Sequence, residues 1–292
     1  MEYIIITPVY NEEKYIRLTL DSVIAQTLLP KKWVIVNDGS TDCTENIIKE
    51  YVEKHDWIIL VNNNNKEKRS VGSKVVRAFY LGYDKILNDD YDFIVKLDAD
   101  ITLPGGYFEK IAKTYQSDEL IGMASGFCVI NKKGRWIEEV SSPHHIRGPI
   151  KSYRRECFND IGGLQPVLGW DGIDVMATWY KGWRTKVIDV AVKHHRITGT
   201  ESSEKLASEY GRSYYLRGFS FFQGLLRSLS ILINEHNAIK SWLFLKSFLF
   251  AYLKKEEKIV DKDFEIFIRK FQNKRICRSI KNRVKRKVLK NV

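Results

Sequence analysis

The chain has 292 residues, 44% hydrophobic and 29% charged, which suffices for one large domain plus an extension and excludes a disordered protein. Of its 48 Lys and Arg, 20 lie in residues 206–292 with 7 Asp and Glu, whereas residues 1–205 hold 28 basic and 29 acidic side chains. The basic character thus belongs to the C-terminal part, which counts against a general nucleic-acid-binding protein.

The first hundred residues alternate between short apolar runs and helical patterns. Helices are predicted from Glu12 to Gln26 with Asn11 as N-cap, from Asp42 to His55 with a capping-box spacing to Glu45, and from about Gly72 to Leu87. This alternation predicts an α/β fold with a mostly parallel central sheet and flanking helices. Apolar, β-branched runs predict strands buried on both faces at Tyr3–Thr7, Trp33–Asn37, Trp57–Val61 and Phe93–Leu97.

Polar turns follow three of these strands, with the sequences PVYNEE, NDGSTD and DAD. In a parallel sheet such turns share one edge, where ligands bind. The carboxylates Asp98 and Asp100 of DAD are suited to Mg²⁺ or Mn²⁺. Because the chain contains neither GxxxxGK[ST] nor GxGxxG, we expect it to hold a diphosphate through a metal.

The composition of the sequence changes near residue 205. Trp242–Leu253 is apolar but has only 12 residues, fewer than the ~20 that span a bilayer, and residues 269–292 hold 11 basic side chains and no acid. We therefore expect a catalytic domain in residues 1–205 and a basic, aromatic-rich helical extension in residues 206–292. A stripe at helical spacing predicts one helix through Tyr215, Phe219, Phe222, Leu226, Leu229 and Ile233.

Four ordered segments carry a family resemblance: IIITPVYNEEKYIRLTLDSVIAQT, VIVNDGSTDCT, VKLDADITLP and GGLQPVLGWDGIDV. Their order and spacing over about residues 2–200 resemble family 2 glycosyltransferases. The resemblance implies the glycosyltransferase A fold, a nucleotide-diphosphate sugar donor of UDP or GDP type, a divalent cation (Mn²⁺ or Mg²⁺) and inversion at the anomeric carbon.

The resemblance also implies site residues. Asp100 is expected to bind the metal, together with one histidine of VAVKHHRITG, and strand alternation with Val190 and Val192 favours His194 over His195. The residues expected to bind the nucleotide sugar are Pro8, Tyr10, Glu12, Asp38, Ser40, Gly72, Lys74 and Asp98.

The catalytic base is expected in the segment GWDGID. The family has a Glu-Asp pair here, but this chain reads Trp170-Asp171, so Asp171 keeps the place of the base. Asp171 could also cap its helix, Trp170 could stack on a sugar ring, and Asp174 one turn later has a surface or supporting role.

We therefore expect an inverting glycosyltransferase that acts on an acceptor hydroxyl of a lipid-linked or cell-envelope glycan. A sugar-nucleotide nucleotidyltransferase is less favoured, because the N-terminus lacks a glycine-rich basic loop. A basic nucleic-acid-binding protein is the non-enzymatic alternative. Four separated cysteines and the absence of a basic leader predict a cytoplasmic protein, and the C-terminal sequence predicts peripheral attachment at the inner face of the membrane.

Overall fold

The computed structural model describes residues 1–63, 74–139, 146–196 and 204–288. The chain forms two compact units, Met1–Thr200 and Glu201–Val292. The assignment of residues 1–205 as a catalytic domain and of residues 206–292 as its extension stays a prediction.

The first unit is an α/β structure built on a single nine-stranded sheet. Its elements in chain order are β1 Tyr3–Val9, α1 Ile16–Ile24, β2 Lys32–Asn37, α2 Thr44–Val52, β3 Ile58–Asn62, α3 Lys74–Tyr83, β4 Phe93–Leu97, β5 Ile101–Thr102, α4 Tyr107–Ser117, β6 Ile121–Lys132, β7 Arg135–Glu138, β8 Ile150–Arg154, α5 Arg155–Asp160, α6 Trp170–Tyr180 and β9 Arg184–His194.

The sheet combines a parallel half with a mixed half. Its strand order is β3-β2-β1-β4-β8-β6-β9-β5, and β7 pairs with β6 outside this path. The four predicted strands β1 to β4 are parallel neighbours, whereas β8 is antiparallel to both β4 and β6. The predicted α/β fold with a parallel core and flanking helices is confirmed.

Both faces of the parallel half are covered, which explains the continuous apolar runs. In β1, Tyr3 and Ile5 pack into one hydrophobic cluster, and Ile4 and Ile6 pack into a second cluster. Because successive side chains of a strand point to opposite faces, residues 3–7 of this strand are all buried, and only Pro8 near its end is half-buried. Side chains that contact a ligand must therefore come from the end of the strand and from the turns beyond the strand ends.

The first helix begins later than predicted. Asn11 is not its N-cap: Asn11 has a φ of 52° and accepts a hydrogen bond on Oδ1 from the backbone N–H of Thr41 at 2.8 Å. The chain turns again at Glu12, whose carbonyl accepts the N–H groups of Tyr15 and Ile16. The helix α1 therefore covers only Ile16–Ile24.

The next two helices also differ from the prediction at their ends. The capping box of Asp42 and Glu45 is wrong, because α2 begins at Thr44 and Glu45 instead pairs with Lys49 at 2.7 Å. The described part of α3 covers Lys74–Tyr83, and its predicted start at Gly72 lies outside the described residues.

The second unit is helical, with α7 Glu204–Leu216, α8 Phe221–Glu235, α9 Ala238–Leu253 and α10 Lys262–Val288. The prediction of one continuous helix through Tyr215 and Ile233 is wrong. Gly218 adopts a φ of 84°, and Ser220 starts α8 with a capping box to Gln223. Among the helices described, none is both long enough and apolar enough to cross a membrane.

Candidate active site

The carboxyl ends of β1, β2 and β4 meet at one edge of the sheet. Val9 is the register partner of Asn37, and Ile6 is the partner of Lys96. The turns that follow these strands therefore lie side by side. This edge is the arrangement that the three polar turns predicted.

Asp38 and Ser40 lie on the turn after β2 and interact with neighbouring segments. Asn63 donates its Nδ2 hydrogen to Asp38 Oδ1 at 2.6 Å. The backbone N–H of Asn11 donates to Ser40 Oγ at 3.0 Å, so the turns after β1 and β2 are joined. These two hydrogen bonds connect the turn after β2 to the turn after β1 and to Asn63. Of the other residues predicted to bind the nucleotide, Pro8 is half-buried, Tyr10 is exposed and half-buried Lys74 is the first described residue of α3.

Gly72, also predicted to bind the nucleotide, lies outside the described residues.

Asp100 and His194 come together at the predicted metal position. Asp100 Oδ2 is 3.6 Å from His194 Nε2, and both residues are buried. Burial alone would lower the pKa of His194, but the carboxylates of Asp100 and Glu139, at 3.6 and 3.9 Å from its ring nitrogens, outweigh burial and raise the pKa to about 9. The acid residues around the imidazole thus create a site that favours positive charge.

Arg196 and Glu12 complete this cluster. Arg196 forms an ion pair with Glu12 Oε1, and its Nε lies 3.7 Å from Asp100 Oδ2. Burial, followed by the charge of Asp100, raises the pKa of Glu12 to about 7. Sequence reasoning missed Arg196, although it stands two residues after His194. The one available signal was its place just beyond the end of β9.

The donor set fits a hard divalent cation. The described ranges contain no cluster of three or more His, Cys, Asp and Glu side chains that could bind a metal ion by themselves. Yet Asp100 and His194 offer one carboxylate and one imidazole, and the buried Glu12 Oε2 has no hydrogen-bond partner among the described residues. Two protein ligands are sufficient where substrate phosphates and waters complete the shell, as is usual for Mg²⁺. The residues present therefore fit such a cation.

His195 has a different environment from His194. Its Nε2 lies 2.7 Å from Thr102 Oγ1, and its ring stacks on Tyr15 with centroids 5.4 Å apart. Burial lowers the pKa of His195. Its side chain is thus held by Thr102 and Tyr15, and the geometry favours His194 as the metal ligand.

Asp98 is tied to a buried lysine. Lys96 Nζ contacts Asp98 Oδ1 and donates to the carbonyl of Gly148 at 2.9 Å. Burial, only partly opposed by the Lys96 charge, raises the pKa of Asp98. Lys96 therefore links the turn after β4 to the segment that precedes β8.

Asp171 lies in the first turn of α6, close to Gly148. The N-cap is Gly169 with a φ of 81°, so Asp171 does not cap the helix. A Cβ built on Gly148 would lie 3.5 Å from Asp171 Oδ2. Asp171, the predicted base, is therefore linked to Asp98 by a chain of contacts through Gly148 and Lys96.

Asp174 and Trp170 are both buried. Asp174 forms an ion pair with Lys151 at 2.7 Å and accepts the hydroxyl of Tyr153 at 2.6 Å. The surface alternative for Asp174 is therefore wrong. The ring of Trp170 lies near the ammonium groups of Lys96 and Lys151, with Nζ at 5.1 and 5.2 Å from its centroid, and its burial argues against stacking on a sugar.

Comparison with curated proteins identifies relatives among bacterial glycosyltransferases. Glycosyltransferase GlyA of Streptococcus pneumoniae serotype 4 is 34% identical over 121 residues, which are 40% of this chain and 16% of that protein. The poly-beta-1,6-N-acetyl-D-glucosamine synthase of Staphylococcus epidermidis is 22% identical over 277 residues, 86% of this chain and 65% of the synthase. The chain thus spans less than two thirds of the length of either relative.

Two solved structures share the fold of this chain. S. aureus TarS 1–349 in complex with UDP-GlcNAc has a TM-score of 0.54 at 18% identity, covering 87% of this chain and 73% of that structure. The mannosyltransferase PcManGT of Pyrobaculum calidifontis, in complex with GDP-Man and Mn²⁺, has a TM-score of 0.52 at 15% identity, covering 86% and 73%. At these identities the likeness shows the fold alone.

The family model named Glycosyl transferase family 2 matches residues 4–168, more than half of the chain. This match contains the turns after β1, β2 and β4 and ends just before α6. The family predicted from the four sequence segments is therefore confirmed, and the chain belongs to glycosyl transferase family 2.

Proposed function

We propose that this protein transfers a sugar, with inversion, from a nucleotide-diphosphate donor to an acceptor hydroxyl. The observation that carries the proposal is the close placement of two acid-bearing segments, because Lys96 joins Asp98 to Gly148 and Gly148 lies against Asp171. One segment follows a central strand and the other starts a helix. A donor and an acceptor held between them would meet near one carboxylate.

The donor binds at the edge formed by the turns after β1 and β2. Asp38 and Ser40 contact the nucleotide, with Pro8 and Tyr10 beside them, and Asp98 faces the ribose and sugar. UDP or GDP is the expected nucleotide, which is supported by the UDP-GlcNAc and GDP-Man complexes of TarS and PcManGT.

Asp100 and His194 hold a divalent cation, Mn²⁺ or Mg²⁺. When bound, such an ion offsets the negative charge that builds on the leaving diphosphate. The Mn²⁺ complex of PcManGT supports this assignment. Arg196, already paired with Glu12 beside Asp100, adds a further positive charge at the same place.

Asp171 acts as general base. A hydroxyl is a weak nucleophile until a carboxylate within hydrogen-bond reach accepts its proton. Asp171 is only half-buried, so an acceptor can reach its carboxylate, whereas the buried Asp174 is already paired with Lys151. The first helical turn places Asp171 on the side of Gly148, towards Asp98.

The test is metal-dependent turnover of a panel of nucleotide sugars that includes UDP-GlcNAc and GDP-mannose. We expect release of the nucleoside diphosphate, and Asp171→Asn should lower turnover by a factor on the order of 10²–10⁴. Asp189→Asn, an exposed aspartate of β9, is the matched control and should change nothing. Release of pyrophosphate would support a nucleotidyltransferase, and unchanged turnover in Asp171→Asn would remove the proposed base.

The acceptor is a glycan on a lipid carrier or in the cell envelope, and the protein binds the cytoplasmic membrane surface. The face of α9 opposite the buried Phe244 and Phe248 is apolar and exposed, with Trp242 at 62% and Leu253 at 77% exposed. Together with Ile239 and Phe250, which lie on the same face at helical spacing, Trp242 and Leu253 form an apolar stripe, and Lys246 lies within it.

The stripe with Lys246 favours a membrane surface over a second protein. In a protein interface Lys246 would become a buried charge, whereas in a bilayer interface its ammonium can extend to the headgroups. Residues 206–292 also carry 20 basic and 7 acidic side chains, which attract anionic lipid. An interfacial location is therefore consistent with both the apolar and the charged residues of this unit.

Sedimentation with vesicles of neutral or anionic lipid tests this part of the proposal. Trp242→Asp with Phe250→Asp should abolish binding to anionic vesicles. Leu87→Asp alters a leucine of the first unit that is as exposed as Trp242, and it should leave binding to the vesicles unchanged. Failure of the unchanged protein to bind anionic vesicles would contradict the membrane assignment and leave sugar transfer untouched.

A further inference from the structure

Two buried lysines lie side by side beneath the proposed base. Lys96 of β4 and Lys151 of β8 are direct register partners in the antiparallel pair of strands, and the side chains of both are buried. Like charges directly opposite each other on a sheet are unfavourable. A buried pair of this kind is retained only when other groups compensate both charges.

Each ammonium group has its own carboxylate. Lys96 contacts Asp98, and Lys151 forms hydrogen bonds with both oxygens of Asp174, at 2.8 and 2.7 Å. The ring of Trp170 lies near both ammonium groups, which is a cation–π arrangement. Trp170 therefore contacts both lysines of this cluster.

Lys151 also bonds to the backbone of the proposed base. Its Nζ donates to the carbonyl oxygen of Asp171 at 2.6 Å. Asp174, one turn later on α6, is held by the same ammonium and by the hydroxyl of Tyr153. The start of α6 is thus fixed to β8 at two points, the carbonyl of Asp171 itself and the carboxylate of Asp174 one turn later.

We propose that Lys151 and Asp174 are positioning residues that hold Asp171 in the orientation needed to accept the proton of the acceptor. This inference rests on the proposed function, in which Asp171 is the base. The ion pair does not touch the reacting atoms and acts only through the first turn of α6. Displacement of a reacting group by about 1 Å can lower a rate ~10²-fold.

The test is a double-mutant cycle between the ion pair and the base. The pair is removed as a unit with Lys151→Met and Asp174→Leu, because removing one partner would leave an unpaired buried charge. Turnover of UDP-GlcNAc or GDP-mannose with Mn²⁺ is measured with Asp171 present and in the Asp171→Asn background. We expect turnover to fall 10- to 100-fold with Asp171 present and less than 3-fold in the Asp171→Asn background.

Two further measurements separate positioning from loss of structure. The affinity for UDP or GDP with Mn²⁺, measured by calorimetry, should change less than 3-fold when the pair is removed. Hydrogen exchange should become faster in the segment 169–175, whereas segments of β1 and β2 should keep their protection. Lys151→Arg, which keeps the charge, should retain more turnover than Lys151→Met.

Two results overturn the inference in different ways. Equal loss of turnover in both backgrounds, or loss of nucleotide affinity in parallel with turnover, would mean that the pair is only structural, and the proposed function would stand. Unchanged turnover in Asp171→Asn alone would refute both the proposed base and the positioning of that base.

Discussion

Removing one partner of the Lys151–Asp174 pair should destabilise the first unit more than removing both. The side chains are 0% and 1% exposed, and Asp174 is bonded to both Lys151 and Tyr153. Asp174→Leu leaves the Lys151 ammonium buried with only the carbonyl of Asp171 as a hydrogen-bonding partner within this cluster. Breaking a buried ion pair in this way costs about 3–5 kcal/mol of unfolding free energy.

The double replacement Lys151→Met with Asp174→Leu removes both charges; methionine is close to lysine in volume, and the larger leucine is common to the single and the double variant. Its remaining cost is the hydroxyl of Tyr153, which loses its acceptor, at about 1–3 kcal/mol. The midpoints of these two ranges differ by about 2 kcal/mol, which is the expected gap between the single and double variants. For a unit of this size the single variant should lower Tm by roughly 6–20 °C.

Urea unfolding followed by tryptophan fluorescence measures this difference. Six of the seven tryptophans lie in the first unit, so the signal reports mainly on its unfolding. The exposed pair of Arg17 and Glu50, 3.0 Å apart, is the matched control, and its removal should leave the midpoint within experimental scatter. Equal destabilisation by the single and double variants would refute the argument that an unpaired buried charge dominates the cost.

Three further predictions concern other parts of the chain. Asp100→Asn and His194→Gln should each weaken Mn²⁺ binding in the presence of UDP or GDP by a factor on the order of 10–100, as measured by calorimetry; unchanged affinity would argue against these ligands. Tyr153→Phe removes a hydrogen bond to a buried carboxylate and should cost about 1.5–3 kcal/mol in urea unfolding. Gly218→Ala should lower the stability of the second unit by at least about 1 kcal/mol, as measured by hydrogen exchange in α7 and α8, because φ is 84° and a Cβ would lie 2.9 Å from Val260. Gly134→Ala in the first unit, with a φ of 83° and open space, shows the backbone contribution alone, as measured by hydrogen exchange in β6 and β7.

The sequence was informative for features that depend on neighbouring residues along the chain. The four parallel strands could be read from continuous apolar runs, since burial on both faces leaves no polar alternation. Asp100 is the third residue after such a strand, and His194 continues the alternation of Val190 and Val192, so both residues could be predicted to share one edge. Their close contact follows from strand pairing.

The parts that sequence reasoning missed depend on long-range pairing. Lys96 is the single charged residue of the apolar strand β4, whereas Lys151 lies in β8, a strand that was not predicted. Nothing local indicates that the two lysines face each other across β4 and β8. The helix ends at Asn11 and Asp42 were misplaced for a related reason: each side chain bonds to the neighbouring turn of the sheet edge. At Asn11 a tertiary hydrogen bond takes the place of a local cap, whereas Asp42 accepts both the tertiary bond and a local one from the N–H of Thr44 at 3.0 Å.

The identity of residue 170 should therefore depend on residue 151. The family commonly has an acid where this chain has Trp170, and an acid at that place would compete with Asp174 for the ammonium of Lys151. We expect related sequences with tryptophan at this position to keep both lysines and the second acid of the helix, and sequences with the acid to lack at least one of them. Trp170 would then vary together with Lys96, Lys151 and Asp174. A single replacement at position 170 would first change the charge balance of this cluster, and only through that change the choice of acceptor.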